Sequence, residues 1–106
     1  MPTAKRQYQE LVDRLVAANR PDVKVSRMYG IPVLTVRGRA FAGLHGENLV
    51  VRLDGAALAK ARHINGAQAF EPAGGRDMPD WLEVPVVHVS HWRGLMQDAL
   101  YYITQA

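Results

Sequence analysis

Arginine is the residue type in this chain most suited to binding a ligand, since it accounts for ten of the 13 basic side chains. Arg39 and Arg52 lie with Phe41 in a stretch rich in β-branched residues. Two guanidinium groups beside a phenyl ring could hold a phosphate or a carboxylate. Alternatively, Arg52 stacks on Phe41 and pairs with a nearby acid, a contact worth about 0.5 to 2 kcal/mol. Strand register decides which description applies.

A second arginine motif is the loop Gly74-Gly75-Arg76-Asp77, whose backbone amides could cradle an anion. It lacks the spacing of a P-loop or a dinucleotide fingerprint, so a plain surface turn is the alternative. The predicted anion- or partner-binding residues are therefore Arg39, Phe41, Arg52 and Arg76.

Catalytic and metal-binding patterns are not evident. The chain has no cysteine, which excludes disulfides, thiolate zinc sites and a thiol nucleophile. His88 and His91 are close in sequence but have no third ligand at a recognisable spacing. Asp77 and Asp80 fit loop positions better than a paired acid and base. We predict no catalytic residues, no metal site, no cofactor and no enzymatic activity.

Composition indicates one folded domain over residues 1–106, with 48% hydrophobic residues and a net charge of +3. The arginine excess favours an anionic partner, although the charge is small for a dedicated DNA-binding protein. No apolar run approaches the roughly 20 residues that span a bilayer, and no secretory signal pattern opens the chain. We expect a cytoplasmic protein that does not enter a membrane.

Residues 27–53 predict an antiparallel β-meander, because short apolar runs alternate with glycine-bearing turns. Two-residue loops at Arg37-Gly38 and Gly46-Glu47 would fix the register. The predicted cross-strand pairs are Val36 with Arg39, Leu34 with Phe41, Leu44 with Leu49 and Phe41 with Arg52.

This register assigns each side chain to one face of the sheet, and a change of one loop residue would exchange the faces. The face predicted to contact helices contains Val33, Thr35, Ala40, Ala42, Leu44, Leu49, Val51 and Leu53. The opposite face, the predicted interaction surface, contains Leu34, Val36, Arg39, Phe41, Gly43, Val50 and Arg52. Neighbouring exposed apolar residues of this kind usually mark a contact surface.

Three helices are predicted around the sheet from their apolar spacing. Thr3 caps the first, in which Glu10 and Arg14 form an i,i+4 ion pair. Asp54 caps the second, over residues 55–64, and Ser90 caps the last. Further expected features are an outer strand at 22–28, a short strand at 67–70, a loop at 72–79, a strand or an extended segment at 81–89 and core positions for Trp81 and Trp92.

Several short segments run in order along nearly the whole chain. They include Met28-Tyr29-Gly30, Gly38-Arg39-Ala40-Phe41-Ala42, residues 49–53, Phe70-Glu71-Pro72, residues 75–78, residues 81–85 and the helix after Trp92. With these segments the chain resembles the N-terminal domain family of TfoX, the regulator of natural competence, and more distantly the MmcQ/YjbR-like proteins. The resemblance implies an α+β domain, an antiparallel sheet flanked by helices in two layers, and a regulatory role with DNA binding as one option.

These observations lead to two functional hypotheses. The first is a non-enzymatic regulatory or interaction module that uses the arginine-bearing sheet face to bind a protein or a nucleic acid. The alternative is a structural homodimer that buries the same face on itself and binds no nucleic acid.

Overall fold

The computed structural model describes residues 3–70 and 78–105, which form three α-helices, one 3₁₀ segment and six strands. The helices are α1 (Ala4–Ala18), α2 (Gly55–Ala61) and α3 (Trp92–Gln105), with the 3₁₀ segment Val86–His91 directly before α3. The strands are β1 (Val23–Met28), β2 (Ile31–Val36), β3 (Arg39–His45), β4 (Asn48–Arg52), β5 (Gln68–Phe70) and β6 (Met78–Pro85). This order confirms the predicted α+β class.

The six strands form a single antiparallel sheet in the order β1-β2-β3-β4-β6-β5. Residues 23–52 form the predicted meander, in which each strand pairs with the next. β6 then pairs with β4, and the three-residue β5 occupies the far edge. β1 is the other edge strand, as its alternating sequence predicted.

Local turn chemistry explains the tight meander. Tyr29 and Gly30 have φ angles of 52° and 79°, and Arg37 and Gly38 have 53° and 77°. Two successive positive φ angles define the type I′ turn, whose twist matches that of the flanking strands. The third hairpin has a positive φ only at Gly46, at 62°. All three connections therefore have two residues, as predicted for Arg37-Gly38 and Gly46-Glu47.

The register of β2 on β3 departs from the prediction at one point. Val36 pairs with Arg39, as expected, but Leu34 pairs with Ala42 rather than with Phe41. Between these pairs Thr35 pairs with Ala40, so Phe41 is an extra residue in a β-bulge. The β3–β4 ladder has Leu44 opposite Leu49, as predicted, but it begins at Ala42 opposite Val51, so the predicted pair of Phe41 with Arg52 is not part of it.

The bulge corrects the assignment of residues to faces. Leu34, Val36 and Phe41 were predicted on the interaction surface but are buried in the core under the helices. Val33 and Ala40 were predicted under the helices but contact the opposite side, Val33 beside Val50 and Ala40 in the cluster around that residue. The remaining assignments to the helix-covered face are confirmed for Ala42, Leu44, Leu49, Val51 and Leu53.

One extra residue in β3 accounts for this exchange. A bulge residue adds one position to a strand, so the side chains before and after it no longer alternate in step with the partner strand. Gly43 lies just beyond the bulge, and a Cβ there would lie 2.8 Å from the carbonyl oxygen of Pro32 and 2.9 Å from Val33 Cγ1. β2 and β3 therefore approach each other closely beside the bulge.

The helices begin and end largely where their sequence signals lie. The Thr3 hydroxyl accepts a hydrogen bond of 3.1 Å from the Arg6 backbone N–H, which confirms the cap of α1. Asp54 precedes α2 but makes no side-chain cap, and α2 ends at Ala61 rather than residue 64. Ser90 was predicted to cap α3, but it lies inside the 3₁₀ segment and does not do so. Among the described residues, no helix has the length and apolarity to cross a bilayer.

The core lies between the sheet and the helices. Tyr8 and Val12 of α1 and Trp92, Met96 and Ile103 of α3 pack against the helix-covered face. Trp81 is also buried, but on the opposite side of the sheet, where it clusters with Val50 and Phe70. Both tryptophans are thus core residues, as predicted.

Candidate functional site

The predicted patch of Arg39, Phe41 and Arg52 does not form. Phe41 is 0% exposed and packs beneath the helices, so its predicted role in partner contact is wrong. Its position as the bulge residue turns it toward the same core as its neighbour Ala42. A fully buried phenyl ring cannot contribute to a surface contact.

The arginines of that patch have separate environments. The Arg52 guanidinium carbon lies 5.9 Å from the centre of the Tyr102 ring, and Nη2 lies 3.9 Å from an Asp80 carboxylate oxygen. Arg52 therefore has a partner acid and a ring, but the ring is Tyr102 instead of Phe41. Arg39 is exposed at the start of β3. Arg76 lies outside the described residues.

A different group of arginines surrounds a groove of about 470 Å³ between α1 and α3. Its floor consists of Val23 and Val36, both buried. Half-buried leucines form its apolar walls, namely Leu11, Leu15 and Leu100. The exposed side chains around it include Arg14, Arg37, Arg93, Gln97 and Tyr101. The groove therefore combines an apolar interior with a cationic rim.

None of the three rim arginines forms an ion pair with an acidic group of residues 3–70 or 78–105. The predicted Glu10–Arg14 pair is absent there, because Glu10 lies 3.6 Å from Arg6 instead. The groove lining has three arginines and one aspartate, Asp22, which gives a formal charge of 3 − 1 = +2. Its electrostatic potential favours an anionic ligand.

Arg37 is held at this rim by an unfavourable backbone conformation. It occupies the first position of a type I′ turn with φ of 53°, where asparagine, aspartate or glycine is usual. A non-glycine residue in a sparsely populated region costs on the order of 1 kcal/mol. Tyr29 occupies the same position of the other type I′ turn with φ of 52°, so Arg37 is a candidate because it lines the groove and not because of its conformation alone.

Sequence reasoning missed this groove for identifiable reasons. The sequence pattern predicts Arg14 in a helical ion pair and Arg37 in a turn, and neither prediction indicates a groove. The turn position of Arg37 was a usable signal, since arginine is unusual there. Nothing in the sequence around Arg93 marks it, because its proximity to the other two depends on helix packing.

A second groove, of about 480 Å³, lies between α2, the 3₁₀ segment and α3. Three of the four histidines line it, namely His63, His88 and His91, together with Lys60 and Asp98. The His88 and His91 rings are 6.2 Å apart. Within the described part of the chain, no three histidine or acidic side chains are placed to hold a metal ion.

The fourth histidine belongs to a polar cluster on the face of the sheet opposite the helices. Glu83 of β6 is 6% exposed, and its carboxylate accepts a 2.5 Å hydrogen bond from the Asn48 side-chain amide. His45 Nδ1 lies 3.2 Å from the other carboxylate oxygen, and its ring packs edge-on against Phe70 at 5.3 Å. A carboxylate that orients an imidazole can support base catalysis.

The location of this cluster indicates a structural role. None of its residues lines either of the two grooves described above. Glu83 pairs with Val50 and Gln68 in the sheet, and a buried carboxylate needs hydrogen-bond donors to stay there. His45 and Asn48 flank the Gly46-Glu47 turn and supply those contacts. A charged residue inside the apolar run 81–85 was the sequence signal that could have revealed it.

In comparisons with known proteins, no family model, no curated protein and no solved structure matches this chain significantly. The resemblance to the N-terminal domain family of TfoX stays a prediction from the sequence. The geometry of the grooves is therefore the basis for assigning a function.

Proposed function

We propose that this domain is a non-enzymatic interaction module that binds an acidic segment of a partner protein in the groove between α1 and α3. The observation that carries the proposal is the set of three arginines, Arg14, Arg37 and Arg93, around an apolar interior. No acid of the described residues pairs with any of them. An acidic segment would supply the carboxylates with which these arginines could pair.

The chemistry of arginine supports an acidic partner. A guanidinium group presents a planar fork of donors that matches a carboxylate, and it is more weakly hydrated than an ammonium group. Charge-assisted hydrogen bonds to such groups contribute about 1.5 to 3 kcal/mol when they are shielded from water. Three arginines on separate elements can bind acids at three separate points.

The apolar interior favours a protein over a nucleic acid. Leu11, Leu15 and Leu100 offer aliphatic surface that side chains of a peptide would cover. Nucleic-acid interfaces are instead polar and strongly cationic, with phosphate contacts along a continuous basic surface. The rim carries three cations and one anion, Asp22, which is modest for phosphate binding.

The groove lining also supports a binding role over a catalytic one. Among the described residues that line the groove there is no histidine, cysteine or lysine. The Thr104 hydroxyl lies 2.9 Å from the backbone oxygens of both Leu100 and Tyr101, so its hydrogen is directed to α3 itself. A nucleophile with an adjacent base is the usual requirement for covalent catalysis.

Fluorescence anisotropy with a synthetic peptide tests the proposal. The probe is a labelled peptide of about 16 residues made of glutamate and leucine, in an order that leaves no continuous apolar helical face. We expect binding at low salt that weakens as salt rises, since screening shortens the Debye length to about 8 Å at physiological ionic strength. The Arg14→Ala/Arg93→Ala double variant should weaken binding about tenfold or more.

The matched control is Lys5→Ala/Arg62→Ala, which removes the same charge from exposed positions outside the groove. It should leave the affinity for the peptide within about twofold of wild type. Equal weakening in both double variants would show that only net charge matters and would overturn the site. Stronger binding of duplex DNA than of the peptide would replace the protein partner with a nucleic acid.

Arg37→Asn gives an independent test because the two expected effects have opposite signs. Asparagine suits the first position of a type I′ turn, so stability should rise by about 0.5 to 1 kcal/mol. Peptide affinity should fall, because one rim cation is lost. Higher stability with unchanged affinity would remove Arg37 from the binding site.

A further inference from the structure

We infer that the acidic segment binds as an amphipathic α-helix that lies between α1 and α3. This inference rests on the proposed function and adds the conformation and residue pattern of the partner. Its starting observation is that the two long walls of the groove are themselves helices, and that each presents one continuous stripe of side chains.

The wall from α1 has the spacing of a single helical face. Leu11, Arg14, Leu15 and Ala18 follow the i, i+3, i+4, i+7 pattern and line the groove together. At 1.5 Å per residue this stripe is about 10 Å long. Its ridge of leucines with an arginine beside it would complement a ridge of apolar residues with an adjacent acid.

The wall from α3 is longer. Arg93, Gln97, Leu100, Tyr101 and Thr104 line the groove, so the stripe spans 11 residue steps, or about 16 Å. Three turns of an α-helix have the same length. Helices pack side by side at interaxial distances of about 8 to 10 Å when the ridges of one enter the grooves of the other.

The degree of exposure argues for a helix and against an enclosed small molecule. Pockets for small ligands bury most of the ligand surface. Here the floor, Val23 and Val36, is buried, but the rim is open: Tyr101 is 68% exposed, and Arg14 and Arg93 are exposed. An open trough of this kind covers one face of its occupant. An amphipathic helix presents only one apolar face and keeps the other in water.

The positions of the arginines specify where the partner needs acids. Arg14 lies on the α1 wall and Arg93 on the α3 wall, so acids should flank the apolar stripe of the partner on both sides. Arg37 lies in the turn between β2 and β3 and would meet an acid near one end of the helix. The predicted pattern is an apolar i, i+3, i+4, i+7 stripe with glutamate or aspartate on each border.

Three peptides of about 16 residues and matched length test this pattern. The first has leucines at i, i+3, i+4 and i+7 with glutamates on both borders. The second has the same composition in scrambled order and is the probe used for the proposed function. The third keeps the order of the first but replaces each glutamate with glutamine. Affinities are measured by anisotropy, and helix content on binding by circular dichroism.

We expect the first peptide to bind about tenfold or more tightly than either of the others and to gain helix content when bound. Equal binding of the first and second peptides would overturn the helix while leaving an acidic partner in place. Equal binding of the first and third peptides would overturn the role of the arginines and with it the proposed function. The two failures are therefore distinguishable.

Variants in the walls locate the peptide. Tyr101→Ala removes a ring that is 68% exposed, so it should weaken binding of the helical peptide about threefold or more with little change in stability. Val87→Ala removes another exposed apolar side chain outside this groove and serves as the control. Equal losses of peptide affinity in both variants would contradict the assigned position. So would peptide-induced changes in backbone NMR chemical shifts that centre on the second groove.

Discussion

The two faces of the sheet are closed in different ways. On one face, aliphatic and aromatic side chains such as Leu34, Phe41 and Val51 are covered by α1 and α3. On the other, Phe70 and Trp81 form a smaller apolar cluster beside a buried carboxylate, Glu83, with two side-chain partners. The first face is covered by helices, and the second combines a smaller apolar cluster with directed polar contacts to one carboxylate.

This difference indicates which residues are needed for stability and which remain available to bind a partner. Tight packing makes a face sensitive to volume, while a buried carboxylate makes a face sensitive to the loss of a donor. Neither constraint applies to the rim of the groove between α1 and α3. Its arginines are exposed and lack ion pairs with described acids. Substitutions at the proposed binding positions should therefore affect stability less than substitutions in either face of the sheet.

Phe41→Ala should have the largest effect, because it empties a fully buried position on the helix-covered face. We expect a loss of about 3 to 5 kcal/mol in the free energy of unfolding, measured by urea denaturation. Val25→Thr is the control, since Val25 is 65% exposed on the edge strand β1 and should change stability by well under 1 kcal/mol. A loss below about 1 kcal/mol for Phe41→Ala would restore the predicted exposed position.

Asn48→Ala tests the opposite face by removing one donor from the buried Glu83 carboxylate. Stability should fall by about 1 to 3 kcal/mol, because the charge loses a hydrogen bond that water cannot fully replace. In a Glu83→Gln background the same change should cost less, which a double-mutant cycle would measure. Additive losses would show that Asn48 and Glu83 do not interact, and Glu47→Ala in the adjacent exposed turn should be nearly neutral.

Alkaline pH should weaken the helix-covered face through Tyr8. Burial raises the pKa of its phenol well above the ordinary value of 10.0. The unfolded chain therefore releases this proton near pH 10 while the folded chain keeps it, so stability falls as pH rises further. The loss should reach about 1.4 kcal/mol one pH unit above the unfolded pKa. Denaturation at pH 10 and 11 should show a shallower decline in Tyr8→Phe, and identical slopes would contradict the assignment.

Tyr8→Phe at neutral pH should raise stability by about 1 kcal/mol. The Tyr8 hydroxyl is buried and has no hydrogen-bond partner among the described residues, so its removal ends a desolvation cost. Thermal unfolding followed by circular dichroism would measure the gain. Tyr101→Phe, at an exposed position, should leave the midpoint unchanged. A loss of stability in Tyr8→Phe would indicate that the hydroxyl has a partner.

The smallest change is expected for Arg14→Ala/Arg93→Ala, which should alter stability by no more than about 0.5 kcal/mol per site. Both side chains are exposed and have no ion pair with the described acids. Chemical denaturation would measure this, and the result matters because it separates binding from folding. A loss above about 2 kcal/mol would give these arginines a structural role instead.

Most local features of the fold could be predicted from the sequence. The glycine turns at residues 30, 38 and 46 fixed the hairpins, and Thr3 marked the start of α1 because its hydroxyl is placed to accept a backbone N–H. The Trp92 to Ile103 stripe predicted the packed face of α3. In each case the decisive interactions lie within a few residues of one another in the chain.

The bulge at Phe41 could not be predicted in this way. Its two alternatives differ in the pairing of Leu34 with Phe41 or with Ala42, and both keep the same loops and the same apolar count. The bulged register is favoured because it buries Phe41 beneath the helices. Of these, α1 precedes the sheet and α3 begins more than 40 residues after Phe41. One residue of register therefore removed the predicted interaction surface.

The amino-acid sequence by itself determined the α+β class, the strand meander and the amphipathic faces of α1 and α3, because these follow from turn geometry and from periodic side-chain spacing. Only the tertiary structure decided which arginines share a surface. Arg14, Arg37 and Arg93 are separated by 23 and 56 residues along the chain and meet through the packing of α1, α3 and the β2–β3 turn. Long-range packing sets such neighbours, since no local preference connects them.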